Sequence, residues 1–150
     1  MPYEFKTVRR IEFSDTDMAG IVHFANFFRF MESTEHAFYR SLGFSVSGEI
    51  DGVHYGWPRI RAECDFRHAF RLDDEIEIQL FVRERKAKTV AYDFIFRNLT
   101  VDPKKVAARG SISVICITRE TPGGPMRAVD IPHEVASKIE VAPADLLAAL

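Results

Sequence analysis

The residues best placed to do chemistry lie in one run, Ile11-Glu12-Phe13-Ser14-Asp15-Thr16-Asp17-Met18-Ala19-Gly20-Ile21-Val22-His23-Phe24-Ala25-Asn26-Phe27. It holds two carboxylates two residues apart, a glycine, a histidine and an asparagine, at the junction between a strand-like segment and a helical one. A carboxylate beside a helix N-terminus can attack a carbonyl carbon or activate water. The unpaired amides and dipole of that helix can stabilise the negative charge that develops on the carbonyl oxygen. Gly20 lets the backbone approach a ligand closely. The same residue types also describe Asx-turns that close a strand, and spacing alone favours that plainer reading for Asp15 and Asp17.

Competing chemistries find little support. Cys64 and Cys116 are far apart, each among strand-like apolar positions, and read as two reduced core thiols rather than a disulfide or a nucleophile. There is no C-x-x-C, and His23, His36, His54, His68 and His133 lack metal-ligand spacing, so neither metal nor cofactor is expected. Gly43-Phe44-Ser45-Val46-Ser47-Gly48 has a superficial likeness to a nucleophile elbow, but its spacing is wrong and it follows a helix rather than a strand. A formal net charge of −2 offers no electrostatic case for a nucleic-acid or membrane partner. No apolar run is long enough to span a bilayer, and Met1 to Lys6 lacks the basic and apolar stretches of a secretory signal. A cytoplasmic location is the expectation.

The elements that must hold the run in place can be read from periodicity. No repeat or linker divides the chain, which reads as a single domain over 1–150. Phe5 to Phe13 predicts a strand with Phe5, Thr7, Ile11 and Phe13 on one face and Lys6, Arg10 and Glu12 on the other; Arg9 is the outlier on the apolar face. From Asn26, a candidate N-cap, Phe27, Phe30, Met31, Thr34 and Phe38 follow helical spacing until Gly43 stops the helix. Phe28, Ala37, Tyr39 and Leu42 widen the apolar face, which predicts a helix enclosed by other structure. Phe44 to Trp57 reads as a loop. Ile60, Ala62, Cys64, Phe66, His68 and Phe70 then alternate with charged residues from Arg59 to Arg71, a half-exposed antiparallel strand with His68 as a core histidine. Three more strands follow at hairpin spacing, through Ile76–Val82, Val90–Phe96 and Val106–Thr118, and Pro132 and Pro143 start short helices. One long aromatic helix and one half-charged sheet are satisfied together if the sheet curls around the helix and turns its charged face to water.

With these elements in order, the Asp15-to-Asn26 run resembles the D-x-D-x-x-G-[IV]-V-x-x-x-N signature of the 4-hydroxybenzoyl-CoA thioesterase family, and the element order is similar over nearly the whole chain. The resemblance implies an α+β hotdog fold, a long central helix wrapped by a curved five-stranded antiparallel sheet. It implies acyl-CoA thioester hydrolysis of an aromatic or short- to medium-chain acyl group, with Asp17 as nucleophile or general base and the Phe24 backbone N–H as oxyanion donor. For Asp17 it reverses the balance set by spacing; Asp15 stays a turn and supporting residue. His23, as pocket wall or hydrogen-bond donor, and Asn26, which closes the signature, would line the substrate site. Glu32 matches a position that touches the far end of the acyl group, where the hydroxybenzoyl-specific member has Asp; an ordinary solvated or paired carboxylate is the equal alternative. Trp57 falls where the family has a small polar residue near the reacting carbonyl. Arg85, Lys86 and Lys88 match a basic stretch that meets the CoA phosphates, although a solvated hairpin end would carry the same charges. Long sheet edges and the resemblance together predict a homodimer or homotetramer. Two rival readings are a non-catalytic hotdog module that binds acyl-CoA or lipid, and a dehydratase acting on acyl carrier protein.

Overall fold

The computed structural model describes residues 2–150. Strand β1 (Glu4–Arg10) ends earlier than the alternation suggests: at Ile11 the chain turns away, and a single 3-10 turn (Phe13–Asp15) leaves Phe13 exposed instead of inside. The central helix α1 (Phe24–Ser41) buries Asn26, Phe27, Phe30, Met31, Thr34, Glu35, Phe38 and Tyr39, one stripe at three- and four-residue intervals. Its other face is polar and exposed through Arg29, Glu32, Ser33 and Arg40, so the helix lies in a cradle rather than being enclosed all round. Arg9 does point inward, and its guanidinium sits 4.0 Å over the Phe30 ring. Cation–π attraction explains a charge on an apolar face.

The stretch expected as a loop contains a small hairpin, β2 (Gly48–Ile50) and β3 (Val53–Gly56). Its turn is Asp51-Gly52, both at positive φ (52° and 78°), as a two-residue I′ turn requires. The main sheet is completed by β4 (Arg59–Phe66), β5 (Glu75–Arg85), β6 (Thr89–Asn98) and β7 (Asp102–Ile115), in the order β1-β5-β6-β7-β4, every pair antiparallel. The curved five-stranded sheet around one helix is the hotdog arrangement. A second sheet of β2, β3, β8 (Ile117–Thr118) and β9 (Arg127–Ala128) flanks it.

Strand β4 stops at Phe66, so His68 is exposed and outside any strand, not in the core. A bulge between Arg59 and Arg61 also breaks the alternation at its start. Pro132 and Pro143 precede α2 (His133–Ala136) and α3 (Ala144–Ala148), where prolines were expected to start helices. The convex sheet face is not wholly left to water: Leu146, Leu147 and Leu150 pack over buried Phe81 and Ile95.

Helix and sheet approach closely at Gly110 on β7. A Cβ there would overlap the sulfur of Met31, which is fully buried. Phe27 anchors the N-terminal turn of α1 against Phe66, Phe70 and Phe96, and Phe38 anchors the later turns against Phe5 and Tyr92. These contacts fix which end of the sheet each end of the helix faces.

Candidate active site

The Asp15–Asn26 segment folds into a stitched loop across the N-terminus of α1. The Asp17 N–H donates to the Ile21 carbonyl (2.9 Å), the Gly20 N–H to the Asp17 carbonyl (3.0 Å) and the Val22 N–H to the Phe70 carbonyl (2.9 Å). Gly20 takes φ +79°, a left-handed turn that suits glycine. The two carboxylates divide their work. Asp15 is committed to structure: its carboxylate accepts from the Glu12 N–H at 2.9 Å, and its carbonyl accepts from the His23 N–H (2.9 Å) and the Asn26 side-chain amide (2.8 Å). Asp17 is exposed, and one carboxylate oxygen accepts from the Ala19 N–H at 2.9 Å in an Asx-turn. Its other oxygen has no bond among the described residues.

The helix starts two residues before the expected cap. His23 is the N-cap, and its Nδ1 accepts from the Ala25 N–H at 3.1 Å while its ring stacks on Phe24. In this bond His23 acts as acceptor, not as the donor that was one of its expected roles. Asn26 is buried inside the first turn and positions the loop instead of capping it. The Phe24 N–H is left without a partner among the described residues. A free carboxylate oxygen and a free helix amide therefore flank the same loop.

Other expected site residues lie far from this loop in the same chain. Trp57 packs edge-on against Tyr39 at 5.5 Å, and Tyr39 is fifteen residues beyond Phe24 along the helix, about 22 Å at 1.5 Å per residue. Arg85, Lys86 and Lys88 are exposed at the β5–β6 hairpin, whereas β5 begins beside the Ile11–Asp74 backbone bond at the loop's end of the sheet. The length of β5 separates them, roughly 30 Å. Lys88 pairs with Asp130 at 2.7 Å and Lys86 with Glu84 at 3.4 Å, which leaves Arg85, of these three, without an acidic partner among the described residues.

Between these ends lies a polar cluster that periodicity concealed. The β4 bulge turns Arg59 from the outer face to the inner one, where its guanidinium forks onto buried Glu35 at 2.9 and 2.7 Å. It also reaches Glu32 at 3.2 Å, which makes Glu32 a paired carboxylate. Burial pushes the Glu35 carboxyl up against the pull of Arg59, and the two carboxylates hold the Arg59 guanidinium above its ordinary value despite its own burial. The hydroxyls of Tyr39 and Tyr92 are buried nearby without hydrogen-bond partners. Glu35 was legible only as one more helix carboxylate; the bulge that delivers its partner leaves no mark in the alternation.

The chain matches the model of the thioesterase-like superfamily over residues 11–139. It belongs to that family. A putative esterase of Aquifex aeolicus is 33% identical over 96 residues, covering 63% of this chain and 72% of that one. The acyl-CoA thioesterase YbgC of Haemophilus influenzae is 24% identical over 126 residues, 84% of this chain and 87% of its own. Among solved structures, the gentisyl-coenzyme A thioesterase BH1999 superposes with a TM-score of 0.73 at 28% identity, covering 87% of this chain and 98% of that one.

In this thioesterase-like chain the cysteines stay protonated at neutral pH: burial pushes Cys64 up to about 12 and Cys116 up to about 11. Among the described residues no group of three or more His, Cys, Asp or Glu side chains is placed to hold a metal ion. No helix is long and apolar enough to cross a membrane.

Proposed function

We propose that this thioesterase-like chain hydrolyses acyl-CoA thioesters with Asp17 as the reacting carboxylate. What supports the reading is the stitched loop leading into α1, in which one Asp17 carboxylate oxygen and the Phe24 N–H have no hydrogen-bond partner among the described residues. With the thioester carbon at Asp17, the carboxylate attacks it directly or takes a proton from an attacking water. The Phe24 N–H and the helix dipole hold the oxyanion. The C–S bond then breaks, the CoA thiolate takes up a proton, and in the direct route water cleaves the acyl-aspartyl anhydride.

The working form in this proposal is a homodimer in which β4 pairs with its own copy. β4 is an edge of the main sheet, and it exposes Ile60 and Phe66 as well as its unpaired backbone. Phe24 and Met18 are likewise exposed around the loop. A two-fold antiparallel pairing sets the Arg59 end of one β4 against the Phe66 end of the other. Phe66 touches Phe27, in the first turn of α1. One chain's Trp57 and β5–β6 hairpin are thereby carried toward the other chain's Asp17. That pairing reunites the residues that a single chain holds apart.

Asp17→Asn tests the chemistry. It keeps the shape and the Asx-turn but removes the charge, so folding and substrate binding are retained while kcat falls by roughly 10²–10⁴-fold. Asp15→Asn costs much less. In single-turnover hydrolysis in ¹⁸O-labelled water, label in the Asp17 carboxylate marks direct attack with water opening the anhydride at the aspartyl carbon, a route that general-base catalysis lacks. Near-full turnover by Asp17→Asn would refute the assignment. Binding of acyl-CoA without turnover by the wild type would favour the non-catalytic module.

A further inference from the structure

Three of the four backbone amides at the start of α1 are held in bonds that His23 makes. A helix begins with four amides that its own turns leave unsatisfied. The His23 N–H donates to the Asp15 carbonyl at 2.9 Å, and the Asn26 N–H to the His23 carbonyl at 2.9 Å. The Ala25 N–H donates to the His23 ring at Nδ1, 3.1 Å away. The fourth amide, that of Phe24, has no partner among the described residues. It belongs to the peptide that joins His23 to Phe24, whose carbonyl is the one pinned by the Asn26 N–H. A peptide is planar, so fixing its carbonyl fixes the direction of its N–H. The His23 ring also stacks on the ring of Phe24, with centroids 4.8 Å apart and planes inclined by 26°, although both residues are exposed.

We propose that His23 is a positioning residue for the oxyanion donor. Its ring takes up the Ala25 amide, and its carbonyl and ring together hold the remaining amide, that of Phe24, ready for the thioester oxygen. The proposal rests on the hydrolase reading above and gives His23 a role distinct from pocket wall or donor to substrate. A donor held in place before charge develops lowers the barrier, and a small displacement costs rate rather than substrate affinity. Helix ends fray, and the ring steadies this one: without it the Ala25 and Phe24 amides are both free. Accepting at Nδ1 requires a neutral imidazole with its hydrogen on Nε2, because the charged ring has N–H on both nitrogens. Asparagine keeps the acceptor, since its side-chain oxygen caps the same second amide of a helix. Phenylalanine keeps a stacking ring and loses the acceptor.

Long-range ¹H–¹⁵N spectra of the neutral ring should show His23 with its hydrogen on Nε2. Amide hydrogen exchange should be slower at Ala25 than at Phe24. His23→Ala and His23→Phe should each speed exchange at Ala25 by about tenfold or more, and His23→Asn should leave it slow. Benzoyl-CoA and octanoyl-CoA are the kinetic probes, assayed well below each variant's Tm. With them, His23→Ala and His23→Phe should lose kcat by about tenfold or more while KM stays within about twofold of wild type. His23→Asn should keep kcat within about threefold of wild type. A hydrogen on Nδ1 in the wild type, full kcat in His23→Ala, or a rise in KM in place of the fall in kcat would overturn the positioning role. So would a loss of kcat in His23→Asn equal to that in His23→Ala. A wild type with the expected ring tautomer and exchange pattern that turns over no acyl-CoA would instead overturn the hydrolase reading and leave His23's choice of the free amide standing.

Discussion

Glu35 and Glu32 lie three residues apart on α1, share Arg59 and differ in almost everything else. Glu35 is buried and receives both arms of the guanidinium, while Glu32 is exposed and receives one. Removing Glu35 leaves a half-buried guanidinium without its main partner, so Glu35→Ala should cost about 3 kcal/mol of stability. Glu32→Ala should cost less than about 1 kcal/mol, as expected for an exposed pair. Urea unfolding of the two variants checks the contrast. The two aspartates differ in setting rather than in carboxylate bonding: each carboxylate accepts one backbone N–H, but the Asp15 carbonyl also holds His23 and Asn26, while Asp17 is the more exposed. Residue type and spacing made both visible, but they could not tell which one the loop ties to the start of the helix and which one it leaves exposed.

At the scale of elements, α1 was legible because its buried stripe is long and strongly periodic, and the paired strands because turn residues punctuate them. The β2–β3 hairpin was also marked, by Asp51-Gly52 between short apolar segments, but its strands are too brief to show a period. The packing of α1 on β7 left no pattern at all. At Gly110 the Met31 side chain lies against the strand, and a methyl group there has nowhere to go while Met31 fills the space. Gly110→Ala should therefore destabilise by about 1–3 kcal/mol through overpacking, read as a lower Tm. If the variant melts with the wild type, the helix and sheet are less tightly opposed than this contact implies.

At the scale of the whole molecule, the single chain divides its expected site between two ends, and the β4 edge is the feature that can rejoin them. Light scattering at micromolar concentration should give at least twice the 17.1 kDa chain mass. Ile60→Asp should shift the protein toward monomer and lower kcat/KM together, since a charge on the edge opposes pairing; a monomeric wild type with full activity would end the two-chain reading. The hairpin contributes at the same scale. Neutralising Arg85, Lys86 and Lys88 together should raise KM with kcat little changed, and because Lys86 and Lys88 already have acidic partners, Arg85→Ala alone should reproduce most of that rise. Added salt should raise the wild-type KM by screening phosphate attraction. A KM unmoved in the triple variant would make the hairpin a solvated end and nothing more.

Local order determined much of this protein. Aromatic residues at helical spacing require a buried helix, alternating strands require a half-covered sheet, and the Asp-rich run with its glycine requires a turn between them. Those constraints act between near neighbours in the chain, so they can be read without coordinates. Tertiary structure alone decided the rest. It turned Arg59 inward onto Glu35 by one bulged residue, made His23 the helix cap in place of Asn26, and moved His68 out to solvent. It also placed Trp57 at the opposite end of the helix from Asp17. Each of these depends on where distant segments meet. A one-residue change in strand register reverses the facing of a side chain while leaving composition and local period untouched.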